Sequence, residues 1–267
     1  MKKELWRTIK LLLLFLVLSQ GIVVMGAISV LVYDDAMEMN KEAVDEVFYN
    51  SNIIKWSMII GYVMAIVVFI YKRYVKVSLG RLGCLEHSSL LTAAGMAALI
   101  AVGWMFTEVS CLTLVDAESL FPDDAEQLEK EAEMFGGILG FLATGILAPI
   151  AEEITFRGIM MRGLLKMRCR PWVAIGVSAF IFALFHGTEL QLFGTTMFGI
   201  IVGWLYWRTK SILPGMIVHM VNNCICITAE YLFPDYEPDT KACLLILAVS
   251  IPLLMYGLNW YKEKYSY

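Results

Sequence analysis

Charged side chains are scarce in this sequence, and their scarcity excludes the commonest class of protein. Only 17% of the 267 residues are Asp, Glu, Lys or Arg, whereas 59% are hydrophobic. Water-soluble globular domains contain about 25% charged residues, and a chain as apolar as this one would leave much apolar surface uncovered in water. The sequence therefore predicts a protein whose solvent is lipid.

Several patterns that mark other classes of protein are also missing. The cysteines lie singly or as Cys-x-Cys, without the paired spacing of a zinc ribbon or redox motif, so we interpret them as small packing residues. No repeat of fixed period, Pro-rich linker or low-complexity tract occurs. These absences predict a single integral membrane domain over residues 1–267. The six cysteines are Cys84, Cys111, Cys169, Cys224, Cys226 and Cys243.

Apolar runs long enough to cross a bilayer recur along the whole chain. Crossing ~30 Å of hydrocarbon takes roughly 20 helical residues. The fifth and sixth runs are shorter than usual and meet at Gly187, which predicts thin or tilted helices, or helices joined inside the bilayer. The predicted fold is an all-α, polytopic transmembrane bundle of about eight helices. The runs are 9–33, 53–71, 88–115, 136–160, 172–187, 192–208, 211–232 and 242–260.

Basic residues gather on one side of the membrane when the eight runs are threaded alternately. Of the 21 Lys and Arg residues, 17 fall on that side, whereas the opposite loops, 34–46, 116–133 and 235–239, are rich in carboxylates. This asymmetry predicts that both termini are cytoplasmic. The 17 residues are Lys2, Lys3, Arg7, Lys10, Lys72, Arg73, Lys76, Arg81, Arg157, Arg162, Lys166, Arg168, Arg170, Arg208, Lys210, Lys262 and Lys264.

The acidic segment 116–133 has two interpretations. Leu120, Phe121 and Leu128 are spaced among its charged residues in a way that allows a short amphipathic helix. Runs of charge are usually solvated, however, so we favour a solvated cap.

The second half of the chain carries polar residues where they are energetically expensive. Ionisable groups inside a membrane need a functional or structural reason, and only Glu108 is an obvious one in the first three runs. This concentration predicts a site within a core of about 136–232. The polar residues between Ala148 and Asn223 are Glu152, Glu153, Arg157, His186, His219, Asn222 and Asn223.

Two adjacent acids open this polar segment and have different surroundings. Glu153 and Arg157 stand four residues apart, so they share a helix face and can pair. Glu152 lies about 100° round the helix from Glu153 and is left to point elsewhere. An unpaired buried carboxylate is typical of a proton-transfer group. The alternative is that both acids and the arginine form a structural network.

Two further motifs lie on later helices. Phe182-x-x-x-His186 closes the fifth run, and His219-x-x-x-Asn223 places an imidazole and an amide on one helix face. Peptide hydrolysis needs a positioned water, a base to take its proton, and donors for the oxyanion. We expect Glu152 with His186 to activate the water and His219 with Asn223 to stabilise the oxyanion. Each residue alone is more often a helix-packing partner.

Together the three motifs, EExxxR at 152–157, FxxxH at 182–186 and HxxxN at 219–223, resemble the CPBP family of type II CAAX prenyl endopeptidases and bacteriocin-processing proteins, also called the Abi family. The resemblance covers about the second half of the chain. It implies an eight-helix intramembrane protease with Glu152 and His186 on the water, and His219 and Asn223 in the oxyanion hole. Glu153, Arg157 and Phe182 are then structural support.

The cofactor and partners follow from the same residues. Glu152, His186 and His219 are the set that would bind zinc, but the zinc-binding spacing HExxH is absent, so we favour catalysis without a metal. The expected partners are a protein or peptide substrate at the membrane and the lipid bilayer, with no nucleic acid. A bacterial plasma membrane is the expected location.

Two other functions are compatible with intramembrane polar residues. A transporter would place them along a path through several helices or in two related halves, whereas here they gather in one half of the chain. A catalytically silent immunity or scaffold protein would keep the motifs as a packing network. The sequence favours the protease over both.

Overall fold

The chain has been described by a computed structural model that covers residues 2–33, 51–72, 74, 80, 82, 87–233 and 238–265. Over these residues the protein is helical and contains no strand, which confirms the predicted all-α class. The acidic loop 34–46, Cys84 and most of the basic loop 72–81 lie outside the described residues.

The described residues form nine helices longer than one turn, and each of the eight apolar runs coincides with one of them. Six helices, α1, α2, α3, α5, α7 and α9, are long and apolar enough to cross a bilayer. Eight crossings and cytoplasmic termini remain predictions. The helices are α1 (Lys2–Tyr33), α2 (Asn52–Tyr71), α3 (His87–Leu114), α4 (Pro122–Phe135), α5 (Gly137–Lys166), α6 (Pro171–Leu184), α7 (Glu189–Thr209), α8 (Leu213–Leu232) and α9 (Thr240–Lys264).

Helix α4 corrects the interpretation of the acidic segment. We favoured a solvated cap for 116–133, but residues 122–135 are helical. Half-buried positions at 121, 124, 125 and 128 recur at the spacing of one helix face. The Asp124 carboxylate also accepts a hydrogen bond of 2.9 Å from the backbone N–H of Leu190. The charges are therefore one face of an amphipathic helix that docks on the start of α7.

A glycine turn joins the two short apolar runs. Helix α6 has only 14 residues and ends at Leu184, and Gly187 follows with φ +84°. This left-handed conformation is one that residues with a Cβ adopt only with strain. Thr188 then caps α7, because its hydroxyl accepts the N–H of Gln191 at 3.3 Å. The turn places His186 directly between the two helices.

Helix α5 departs from regular α-helical geometry in two places. Residues Phe141–Leu147 and Glu153–Met161 form π-helical segments, which are rare and occur frequently at functional sites. The second segment is wholly buried, and α5 packs against α1, α2, α6, α7 and α8. The central helix of the bundle thus carries the two adjacent acids.

Small residues let the surrounding helices approach closely, as is common in membranes, where packing replaces the hydrophobic effect between helices. A Cβ on Gly103 of α3 would lie 2.7 Å from the backbone nitrogen of Leu254 of α9. A Cβ on Gly61 of α2 would lie 2.8 Å from the carbonyl oxygens of Leu18 and Ser19 of α1. Large apolar side chains such as Val17, 66% exposed, cover the outer surface, where lipid is the expected contact.

We predict that Gly103→Ala lowers the stability of the protein by about 1–3 kcal/mol, because the new methyl group must displace the α9 backbone. Gly95→Ala on the same helix is the matched control, since nothing lies within 4 Å of its Cβ position. Alanine favours helix over glycine by up to about 1 kcal/mol, so this control should be neutral or slightly stabilising. Thermal unfolding of both variants in one detergent checks this, and equal midpoints would contradict the close contact.

Candidate active site

A buried ion pair lies at the centre of the bundle. Arg157 Nη1 donates to Glu153 Oε1 at 2.7 Å, and the two side chains are 1% and 0% exposed. The four-residue spacing that predicted this pair therefore does bring the charges together. A buried charge without a partner costs several kcal/mol, so removal of either side chain would destabilise the bundle.

Arg157 is held by two further contacts. Its Nη2 donates to the carbonyl of Gly199 on α7 at 3.2 Å, and its guanidinium lies 4.8 Å from the ring centroid of Phe182 on α6. Gly199 also packs closely on α6, where its Cβ would lie 2.9 Å from Ala179. One arginine thus links α5, α6 and α7.

The imidazole of His219 lies between the two carboxylates. Its Nδ1 is 3.2 Å from Glu153 Oε1, and its Nε2 is 3.6 Å from Glu152 Oε2. His219 is 3% exposed, whereas the side chain of Glu152 is 17% exposed. The sequence predicted that Glu152 lies outside the Glu153–Arg157 pair. In the structure Glu152 instead contacts Nε2, the second ring nitrogen of His219. The contact also brings the first and third motifs to the same depth in the bundle.

Phe182 contacts both imidazoles of the motifs. Its ring centroid lies 4.7 Å from that of His186 and 5.6 Å from that of His219, with edge-to-face geometry in both cases. Phe156 of α5 packs on the same ring at 5.1 Å. Edge-to-face aromatic pairs fix ring orientation as well as distance. Phe182 therefore holds both histidines in place.

His186 sits at the carboxyl end of α6 and is half-buried. Its Nδ1 lies 3.1 Å from the carbonyl oxygen of Phe182. Because a carbonyl only accepts, we assign the proton to Nδ1, which leaves Nε2 as an acceptor in the neutral ring. In the described part of the chain His186 forms no hydrogen bond or ion pair with Glu152, its expected partner on the water.

Asn223 is oriented by α5. Its Nδ2 donates to the carbonyl of Thr144 at 3.0 Å, within the first π-helical segment. The neighbouring Asn222 instead contacts Cys226 on its own helix at 3.9 Å. An amide nitrogen has two hydrogens, so Asn223 keeps one N–H beyond its contact with Thr144. The two adjacent asparagines are therefore structurally distinct.

The set proposed for zinc does not form a metal site. Among the described residues, no three His, Cys, Asp or Glu side chains come together in an arrangement that could hold a metal ion. Glu152 and His219 are close, but His186 forms no hydrogen bond or ion pair with either of them in the described residues. The donor geometry does not fit zinc bound by these three residues.

Sequence reasoning missed the residues that surround the motifs. Gly199 and Thr144 supply backbone carbonyls. Gly215 of α8 lies so close that its Cβ would be 2.9 Å from Glu153 Oε2. Phe198 packs on His219 at 5.0 Å between ring centroids. None of them belongs to a recognisable motif, because their roles depend on helix contacts that spacing along the chain does not express.

Comparison with known proteins gives one match. A family model described as type II CAAX prenyl endopeptidase Rce1-like matches residues 134–225. All seven residues expected at the site lie in this segment, whereas α1, α2 and α3 lie outside it. No curated protein and no solved structure matches the chain. The catalytic roles of the seven residues remain predictions.

We predict that Arg157→Ala lowers stability by about 3–5 kcal/mol, because it leaves Glu153 as an unpaired buried charge. The double variant Glu153→Gln/Arg157→Met should recover part of this loss, since it removes both charges and leaves neither of them buried without its partner. Arg170→Ala, at an exposed position, controls for the loss of an arginine. Thermal unfolding and the yield of folded protein are the measurements. An Arg157→Ala protein as stable as the wild type would show that the pair is not needed.

Proposed function

Residues 134–225 belong to the Rce1-like type II CAAX prenyl endopeptidases of the CPBP family, and from this premise we propose that the protein is an intramembrane endopeptidase. Its substrate is a membrane-associated or lipidated protein or peptide. The apolar helices that surround the site support this class of substrate, because a chain that reaches the site must pass through or along the bilayer.

One observation carries the proposal: a buried imidazole lies between two carboxylates, and only one of these carboxylates is neutralised by an arginine. Glu153 contacts both Arg157 and His219. Glu152 forms no ion pair with an arginine or lysine in the described part of the chain, and its side chain is 17% exposed, whereas that of Glu153 is 0% exposed. Adjacent acids with such different surroundings are suited to different roles.

We assign proton transfer to Glu152. Its carboxylate takes a proton from the attacking water as the oxygen adds to the scissile carbonyl carbon. The same proton then passes to the nitrogen of the leaving amine as the peptide bond breaks. This general acid–base role contributes typically 10²- to 10⁴-fold to the rate, and no covalent intermediate is required. His186, with Nε2 as its acceptor, orients the same water.

His219 and Asn223 stabilise the oxyanion. Glu153 holds His219 through Nδ1, so the Nε2 face is directed towards Glu152 and the scissile bond. As an imidazolium, His219 donates from Nε2 to the oxygen that becomes negative. The second N–H of Asn223 adds to this donation from the same face of α8. Donors fixed in advance of the reaction are the largest contribution in many hydrolases.

The remaining motif residues position the catalytic groups. Glu153 and Arg157 hold His219 and link three helices, and Phe182 sets the orientation of both imidazoles. We favour a glutamate-dependent mechanism over a zinc-dependent one because the proposed ligands do not gather around one point in the described residues. In the alternative, a catalytically silent immunity or scaffold protein, the same contacts serve only to pack the helices. A substitution that preserves the shape of a side chain but removes its chemistry distinguishes the protease from the scaffold.

We predict that Glu152→Gln abolishes cleavage while leaving the fold intact, because the amide keeps the shape of the side chain but cannot accept the proton of the water. The peptides released from membranes of cells that express the wild type should be missing with Glu152→Gln. Glu118→Gln, at an exposed acid outside the site, is the matched control and should release the same peptides as the wild type. Identical peptides from all three proteins would rule out the protease, and a retained cellular function without cleavage would favour the scaffold.

We further predict that His186→Ala abolishes turnover of the identified substrate and that Asn223→Ala lowers kcat by about 10²- to 10³-fold, the usual loss for an oxyanion donor. Asn222→Ala is the control on the same helix, since its amide contacts only Asn223 and Cys226. Initial rates with purified protein in detergent give the comparison. Equal losses in Asn222→Ala and Asn223→Ala would indicate a packing effect rather than oxyanion stabilisation.

A further inference from the structure

A second polar cavity lies away from the active site, between α1 and the end of α5. It has a volume of about 120 Å³. Residues Arg7 and Thr8 of α1 and Arg162 and Lys166 of α5 line it, together with Gly163. Arg162, Gly163 and Lys166 lie beyond the π-helical segment that carries Glu153 and Arg157, whereas Gly158 and Ile159, which also line the cavity, belong to that segment. The cavity is thus separate from the catalytic groups, although it shares their helix.

The two helices meet closely at the cavity. Gly163 faces the hydroxyl of Thr8, and a Cβ at this position would collide with that hydroxyl. Thr8 is itself only 6% exposed. Gly158 and Gly163 both line the cavity, so neither position places a side chain in it.

The cavity carries uncompensated positive charge. Three cationic side chains, those of Arg7, Arg162 and Lys166, and one carboxylate, that of Glu4, line it. Glu4 lies 3.8 Å from Arg7, and both are partly exposed, so their attraction is weak. Arg162 and Lys166 form no ion pair with any carboxylate in the described part of the chain. Among the described residues, two positive charges at the cavity therefore have no carboxylate partner.

The chemistry of these groups selects a phosphate. A guanidinium binds two phosphate oxygens at once, a lysine adds a point charge, and a hydroxyl donates a further hydrogen bond. Basic pockets between transmembrane helices are known to bind phospholipid head groups. Trp6, 62% exposed, stands next to Arg7 on α1, and tryptophan is the residue enriched at the membrane interface.

We propose that this cavity binds a phosphate group, either that of an anionic membrane lipid or free phosphate. The bound group joins α1, which lies outside the matched family segment, to the helix that carries Glu152 and Glu153. The proposal does not depend on the protease activity, because it concerns only the cations at the end of the bundle.

The full-length protein in a neutral detergent tests the proposal with three probes: short-chain phosphatidylglycerol, short-chain phosphatidylcholine and inorganic phosphate. Binding is measured by the shift in thermal unfolding as each probe is titrated. We expect phosphatidylglycerol to bind more tightly than phosphatidylcholine. Its affinity should fall about tenfold or more in Arg7→Gln/Arg162→Gln. Lys3→Gln/Arg170→Gln removes the same charge from exposed positions at the same end of the bundle and should bind as the wild type does.

The probes distinguish the source of the phosphate. Stabilisation by inorganic phosphate that is lost in the cavity variant identifies a free phosphate, whereas a response to phosphatidylglycerol alone identifies a lipid head group. If the double variant does not fold, the single variant Lys166→Gln, at an exposed position, tests the same loss of binding. Equal binding of both lipids without a response to inorganic phosphate, or unchanged binding in Arg7→Gln/Arg162→Gln and Lys166→Gln, overturns the proposal.

Discussion

The buried ion pair between Glu153 and Arg157 is the constraint on which the rest of the structure depends. Two charges removed from water are costly unless they are paired and hydrogen-bonded, and in a membrane no water replaces a missing partner. The carbonyl of Gly199, the ring of Phe182 and the imidazole of His219 supply contacts from three helices, whereas Glu153 Oε2 and Arg157 Nε have no hydrogen-bond partner among the described residues. Satisfying one pair of charges therefore fixes how α5, α6, α7 and α8 meet.

The same constraint orients the groups assigned to the chemistry. Because Glu153 accepts from Nδ1 of His219, the other ring nitrogen must face Glu152. Phe182, which packs on Arg157, also packs on both imidazoles. Glu153, which belongs to the structural ion pair, and Glu152, the proposed proton-transfer group, are thus adjacent residues of one helix. This arrangement leaves the second carboxylate outside the ion pair with the arginine, and its side chain is 17% exposed.

Helix α5 connects the two polar regions of the molecule. Its middle bears the acids, and its last turns bear Arg162 and Lys166, which line the cavity against α1. Helix α1 lies outside the matched family segment, yet Phe15 packs edge to face on Phe156 at 6.3 Å. An element without recognisable motifs therefore supports the helix on which the proposed chemistry depends.

The sequence by itself determined the lipid environment, the all-α class, the positions of the eight apolar helices and the pairing of Glu153 with Arg157. These depend on composition and on spacing within one helix, which the chain order expresses directly. Only the tertiary structure decided that His219 lies between the two acids, that Asn223 binds Thr144, and that the acidic segment 122–135 folds as a helix on α7. The π-helical turns of α5 and the contacts of Gly199 and Gly215 belong to the same group. These features depend on how separate helices approach one another, and residues far apart in the chain carry no local pattern that records such a contact.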